Sequence, residues 1–94
     1  DARGWAGISL LVKGDGQAYG AHLRTPDVRR PWESWRASFP TSAEWTEVRI
    51  PFEDFHPHRM GGPLDLEHLS RLSLIAVDRL GEADLRVAEV KLYR

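Results

Sequence analysis

The sequence contains no cysteine. That excludes a disulfide-stapled scaffold, thiolate catalysis and a cysteine-ligated zinc site. An excess of one charge sign is also missing: 13 basic and 14 acidic residues leave a net charge of −1. The two signs are interspersed, so neither half of the chain carries the electrostatic footprint of a nucleic-acid or acidic-membrane binder. No apolar run approaches the ~20 residues of a membrane span. Long helical patterns, internal repeats and low-complexity tracts do not appear either. What is present fits one globular domain over residues 1–94, with 41% hydrophobic and 29% charged residues.

Hydrophobic period two dominates the chain, which is the signature of strands. Ile8, Leu10 and Val12 share one parity; Ser9, Leu11 and Lys13 share the other. Gly14-Asp15-Gly16 follows, and Asp-Gly is a favoured hairpin turn. Gln17 to Thr25 alternates again, with Tyr19, Ala21 and Leu23 opposite His22 and Arg24. These two segments are expected to pair as a β-hairpin. Pro26 to Pro31 reads as a loop. Trp32 to Phe39 gives a third strand, with Trp35, Ala37 and Phe39 on one face and Ser34, Arg36 and Ser38 on the other. Trp45 to Ile50 is a fourth, ended by Pro51. The three-residue spacing of Phe52 and Phe55 suits a single helical turn, and Pro57, Gly61, Gly62 and Pro63 mark a long loop. Asp65 is placed to cap a short turn through Leu69. Leu72 to Asp78 and Leu85 to Tyr93 complete six strands, joined around Gly81. Six short strands without long helices indicate an all-β antiparallel sandwich.

Several segments together resemble the complex I intermediate-associated protein family, the thirty-kilodalton assembly factors. They are Gly7 to Gly16 with Tyr19 and Leu23-Arg24-Thr25, then Trp35-Arg36-Ala37-Ser38-Phe39, then Trp45 to Phe55 with its Ile-Pro-Phe centre, then the two closing strands. The resemblance spans nearly the whole chain. It implies a galactose-binding-like jelly roll related in architecture to carbohydrate-binding modules, and a chaperone-like role in assembling multi-subunit complexes. A eukaryotic source would imply the mitochondrion, a bacterial one a soluble cytoplasmic protein. Family domains carry further strands ahead of the segment matching Ile8. The resemblance therefore implies the C-terminal portion of such a domain, whose exposed sheet edges pair with another polypeptide, a missing segment or a second copy.

No constellation in the sequence carries chemistry. Acid–base catalysis needs carboxylates, or a His with a partner, held across a cleft. Asp54, Asp65, Asp78 and Glu89 are scattered over turns and strands. There is no Gly-x-Ser-x-Gly elbow, and Gly14-Asp15-Gly16 does not open a helix, so it is not a phosphate loop. His56-Pro57-His58, with His68 as a distant third, lacks the spacing of a zinc site. The expectation is a chain without catalytic residues, metal or cofactor. Trp5, Tyr19, Trp35, Phe39, Trp45, Phe52, Phe55 and Tyr93 read as core. Trp32 shares parity with Ser34 and Arg36 and reads as an exposed aromatic. His22, Arg24, Trp32, Ser34 and Arg36 thus form the candidate partner-binding face. A non-enzymatic protein-interaction module is the first reading. A carbohydrate-binding module, with Trp32 as its stacking platform, is the alternative. Neither reading includes nucleic acid or a membrane span.

Overall fold

The computed structural model describes residues 2–26, 33–58, 64–76 and 84–94. Seven strands form: β1 (Gly7–Gly14), β2 (Tyr19–Arg24), β3 (Ser34–Phe39), β4 (Thr46–Pro51), β5 (His56–His58), β6 (Arg71–Ala76) and β7 (Leu85–Tyr93). They build two antiparallel sheets, one ordered β4-β1-β7 and the other β5-β3-β2-β6. The fold is an all-β sandwich. Among the described residues there is no α-helix, and none long and apolar enough to cross a membrane.

Alternation supplies the core. Ile8, Leu10 and Val12 of β1 bury against Tyr19, Ala21 and Leu23 of β2 and Trp35 and Phe39 of β3. Each large aliphatic or aromatic side chain among them contributes about 1.5–3 kcal/mol by leaving water. The Tyr19 ring stacks on Phe39 with centroids 6.3 Å apart, and its hydroxyl accepts a hydrogen bond from the Asp84 amide at 2.9 Å. That bond ties the entry of β7, in the first sheet, to β2 in the second. On one side, the 3-10 turn Phe52–Asp54 links β4 to β5, with Phe52 and Phe55 buried beneath it. On the opposite side β6 and β7 are each paired along one edge only among the described strands. Between them lies an apolar cleft of about 300 Å³, lined by Ile8, Leu23, Leu69, Leu72, Val90 and Leu92 among others.

Four sequence expectations need correction. The first is the hairpin: β1 and β2 do not pair, because they lie in different sheets. The turn chemistry itself forms. Asp15 Oδ1 accepts from the Gln17 amide at 3.2 Å, and Gly16 sits at φ +85°. The segment carries the chain from one layer to the other, so the apolar faces of β1 and β2 meet across the core and not side by side. Thr41 pins this crossover: its hydroxyl accepts from the Gly16 amide and donates to the Gln17 carbonyl at 2.7 Å. The second correction is His56–His58, expected within a loop. It is a short strand on the β3 edge, since Pro57 lacks a donor and tolerates an edge position. The third is Trp45, expected in the core but 48% exposed at the start of β4. The two closing strands likewise fall in separate sheets; residues around Gly81 lie outside the described residues.

Valine at Gly16 is expected to lower stability by about 1–2 kcal/mol, because a left-handed backbone brings Cβ against the following carbonyl. Space is not the issue, since a Cβ there meets nothing within 4 Å. Thermal unfolding followed by circular dichroism checks this; an unchanged midpoint would contradict the positive-φ assignment.

Candidate functional site

Alternation leaves the even-numbered residues of β2 and β3 on the solvent side of the four-stranded sheet. Strand register then aligns them across strands. His22 pairs with Arg36 on β3 and Ser73 on β6. Arg36 in turn pairs with His56 on β5. The result is a transverse row, Ser73–His22–Arg36–His56, across all four strands. A flanking row holds Ser34 opposite His58 on one side and Arg24 opposite Arg71 on the other.

His22, Arg36 and His56 of this row floor an open hollow of about 510 Å³, lined also by Gly20, Ala37, Ser38 and Asp54. Among the described residues Asp54 is the single carboxylate lining it. Gly20 leaves depth between Ser38 and Ile75, its cross-strand partners. The Arg36 Nε donates to Ser34 Oγ at 2.8 Å. Ser34 is only 2% exposed. Of the five expected site residues, Ser34 therefore orients Arg36 from below and does not itself meet a partner. His22, Arg24 and Arg36 are partly exposed on one face. Trp32 lies outside the described residues.

Burial is the largest influence on His22 and lowers its pKa below the ordinary 6.5; the positive charge of Arg36 and the neighbouring His58 act in the same direction. A His with a depressed folded pKa is protonated first in the unfolded chain. Its contribution to stability is thus intact at neutral pH and declines as pH falls through the unfolded value of about 6.5. NMR titration of the imidazole is expected to give a midpoint below 6.5, and Arg36→Gln is expected to move that midpoint upward. A midpoint unmoved by the substitution would remove Arg36 as a neighbour.

Sequence reasoning missed His56, His58, Arg71, Ser73 and Asp54 as members of this face. The two histidines carried a signal, the i, i+2 alternation of an edge strand, which the intervening proline hid. A different cluster, Asp65, Glu67 and His68, gathers its ligand atoms within 4.8 Å of one another. Local structure accounts for Asp65: its carboxylate accepts from the Glu67 amide at 3.1 Å and meets His68 Nδ1 at 2.8 Å, capping the turn Leu66–His68. His68, the third residue of the rejected metal set, belongs to this cap and not to the His56/His58 edge.

The outer face of the other sheet has a different charge pattern. There Arg49 meets Glu47 at 2.8 Å and Lys91 meets Glu89 at 3.4 Å, while Lys13 and Arg86 stand opposite each other on neighbouring strands. The molecule is thus an all-β sandwich in which the histidines of β2 and β5 gather on one sheet face. The chain belongs to the complex I intermediate-associated protein 30 (CIA30) family, whose model matches residues 1–87. No curated protein and no solved structure matches it.

Proposed function

We propose that this domain is a non-enzymatic protein-interaction module that docks another polypeptide on the open face of the β5-β3-β2-β6 sheet, in the manner of an assembly factor. The observation that carries the reading is the transverse row His22–Arg36–His56 lying in one open hollow on a sheet face. Arg is favoured at interfaces because its planar fork grips carboxylates and carbonyls in fixed geometry. Among the described strands β6 and β7 each end a sheet, and a sheet edge suits an extended chain. Ser38, His22, His56 and Asp54 line the hollow, but among the described residues no hydrogen bond holds the Ser38 hydroxyl against a base, so the face is read as a recognition surface. Family membership supports a part in complex assembly. The carbohydrate alternative rests on Trp32; the described aromatics of this sheet, Tyr19, Trp35 and Phe39, are all buried in the core.

A photo-crosslinking residue tests the reading. Placed at Ser38, which is exposed beside the hollow, it is expected to form a discrete adduct with a polypeptide in host extract. Placed at Thr46 on the other sheet it is expected to form none. Equal labelling from both positions, or Ser38 adducts only with glycans, would contradict the proposal.

A further inference from the structure

The two ends of the three-stranded sheet differ. At the β4 end the turn Phe52–Asp54 leads the chain straight into β5 of the facing sheet, and Phe52 and Phe55 fill the space beneath it. At the β7 end the apolar cleft opens between β6 and β7. Val90 shows the consequence. It stands opposite Leu10 on β1, so the two side chains share the inner face of the sheet. Leu10 is fully buried, yet Val90 is 52% exposed. Val87, opposite the buried Val12, is 39% exposed. Two valines on the core side therefore meet water on a strand that ends its sheet among the described strands. An apolar edge of this kind invites another strand.

The residues of that edge select its occupant. Val90 lies between Glu89 and Lys91, whose side chains share the outer face and meet at 3.4 Å. In antiparallel pairing with a second copy about a two-fold axis through Val90, Glu89 stands opposite the partner's Lys91, and Lys91 opposite the partner's Glu89. Val90 meets its own counterpart. Moving the axis to Glu89 or to Lys91 sets like charges face to face. Moving it between residues sets apolar side chains against charged ones. The favoured register is self-complementary, as a two-fold interface requires. We infer that two copies of this chain join their β7 strands antiparallel about Val90, continuing the three-stranded sheet into one of six and shielding Val90 from water.

β4, at the other end of the sheet, holds a similar triplet, Glu47-Val48-Arg49. It is the poorer edge. Val48 is already partly buried against the core, and Pro51 closes the strand without an N–H to donate. On β7, Ala88 bounds the contact. Pairing with β1 skips it, since Leu11 faces Glu89 and Val12 faces Val87. Such a bulge bends the edge. The contact is therefore short, and a dissociation constant of about 10–100 µM is expected. Lys13 and Arg86 lie beyond the bulge, outside the paired segment. An axis perpendicular to the sheet keeps the outer faces of both β5-β3-β2-β6 sheets on one side of the dimer, so the two docking faces are presented together.

Sedimentation equilibrium on the whole chain tests this. The apparent mass is expected to rise from 10.7 kDa toward twice that value as concentration passes from about 1 to about 500 µM. Lys91→Glu and Glu89→Lys are each expected to weaken the dimer at least about tenfold. An equimolar mixture of the two is expected to restore it as a heterodimer, a recovery that misfolding cannot produce. The chain has no cysteine, so introduced thiols report pairing cleanly. Directly opposed residues lie about 4.5–5.5 Å apart between Cα atoms, within disulfide reach. Oxidation is expected to link copies carrying Val90→Cys and to leave copies carrying Val48→Cys unlinked. A chain that stays monomeric at about 500 µM would overturn the inference. So would linkage through Val48→Cys alone, or a charge-variant mixture no more associated than either variant by itself. Growth beyond the dimer would also overturn it, because that marks head-to-tail pairing of β4 with β7.

Discussion

Alanine at Phe39 is expected to lower stability by about 3–5 kcal/mol, through lost transfer energy and the cavity left behind. Phe39 is 2% exposed and is the cross-strand partner of Tyr19, on which it stacks at 6.3 Å. The neighbours that would have to collapse into the space are themselves held. Tyr19 is tied by its hydroxyl to the Asp84 amide, and Ala21 and Leu10 are fully buried. Relaxation is therefore limited, and the cost falls in the upper part of that range. A chain of this size has a total stability of about 5–14 kcal/mol. The substitution would remove a large share of it and lower the unfolding midpoint by about 15–30 °C. The residue also lies next to Ser38 at the end of β3, so the hollow should loosen together with the core. A drop of only a few degrees by differential scanning calorimetry would mean that the two sheets do not pack as described.

Gly7→Ala is expected to be nearly as damaging, by the opposite mechanism. Gly7 lies on β1, the central strand of its sheet, between Pro51 of β4 and Tyr93 of β7. A methyl group there would collide with the Ile50 carbonyl oxygen and lie 2.8 Å from both Pro51 Cα and Tyr93 Cε1. Two of the three obstacles are backbone, which cannot rotate away. Overpacking of this kind costs about 1–3 kcal/mol and more where backbone must shift; about 3 kcal/mol is expected. Tyr93 is further held by Arg49, whose guanidinium lies 5.2 Å from its ring centroid. Urea unfolding with an unchanged m-value and a lower midpoint would confirm a native-state clash. A variant as stable as the parent would place Gly7 outside the sheet.

The fold class was legible because one signal, alternation, repeats through the chain. Ile8-Leu10-Val12, Tyr19-Ala21-Leu23 and Trp35-Ala37-Phe39 all point inward in the structure as their parity requires. Parity assigns a face, but it does not assign a sheet. That is why Gly14-Asp15-Gly16 read as a hairpin: its turn chemistry is right, and nothing local distinguishes a hairpin from a crossover between layers. The distinguishing contact is Thr41 against Gly16 and Gln17, which is distant in sequence. Trp45 failed for a related reason, since a large aromatic at a strand's start need not reach the core.

The candidate site was half legible. Parity placed His22, Arg24, Ser34 and Arg36 on one face. It could not tell that Ser34 would be buried, with Arg36 donating to its hydroxyl and with a cross-strand partner, His58, on β5, a strand hidden behind a proline. It could not bring in His56, Arg71 and Ser73 either, since cross-strand neighbours depend on register. Register is a property of the assembled sheet.

The account's central claim is that the solvent face of the β5-β3-β2-β6 sheet is the recognition surface. Amide chemical shifts recorded while the polypeptide captured by the Ser38 crosslink is added test it most directly. The largest changes should fall on His22, Arg36, Ser38 and His56, with smaller ones at Arg24 and Arg71. Changes confined to β4, β1 and β7, or to the apolar cleft at Val90 and Leu92, would contradict it.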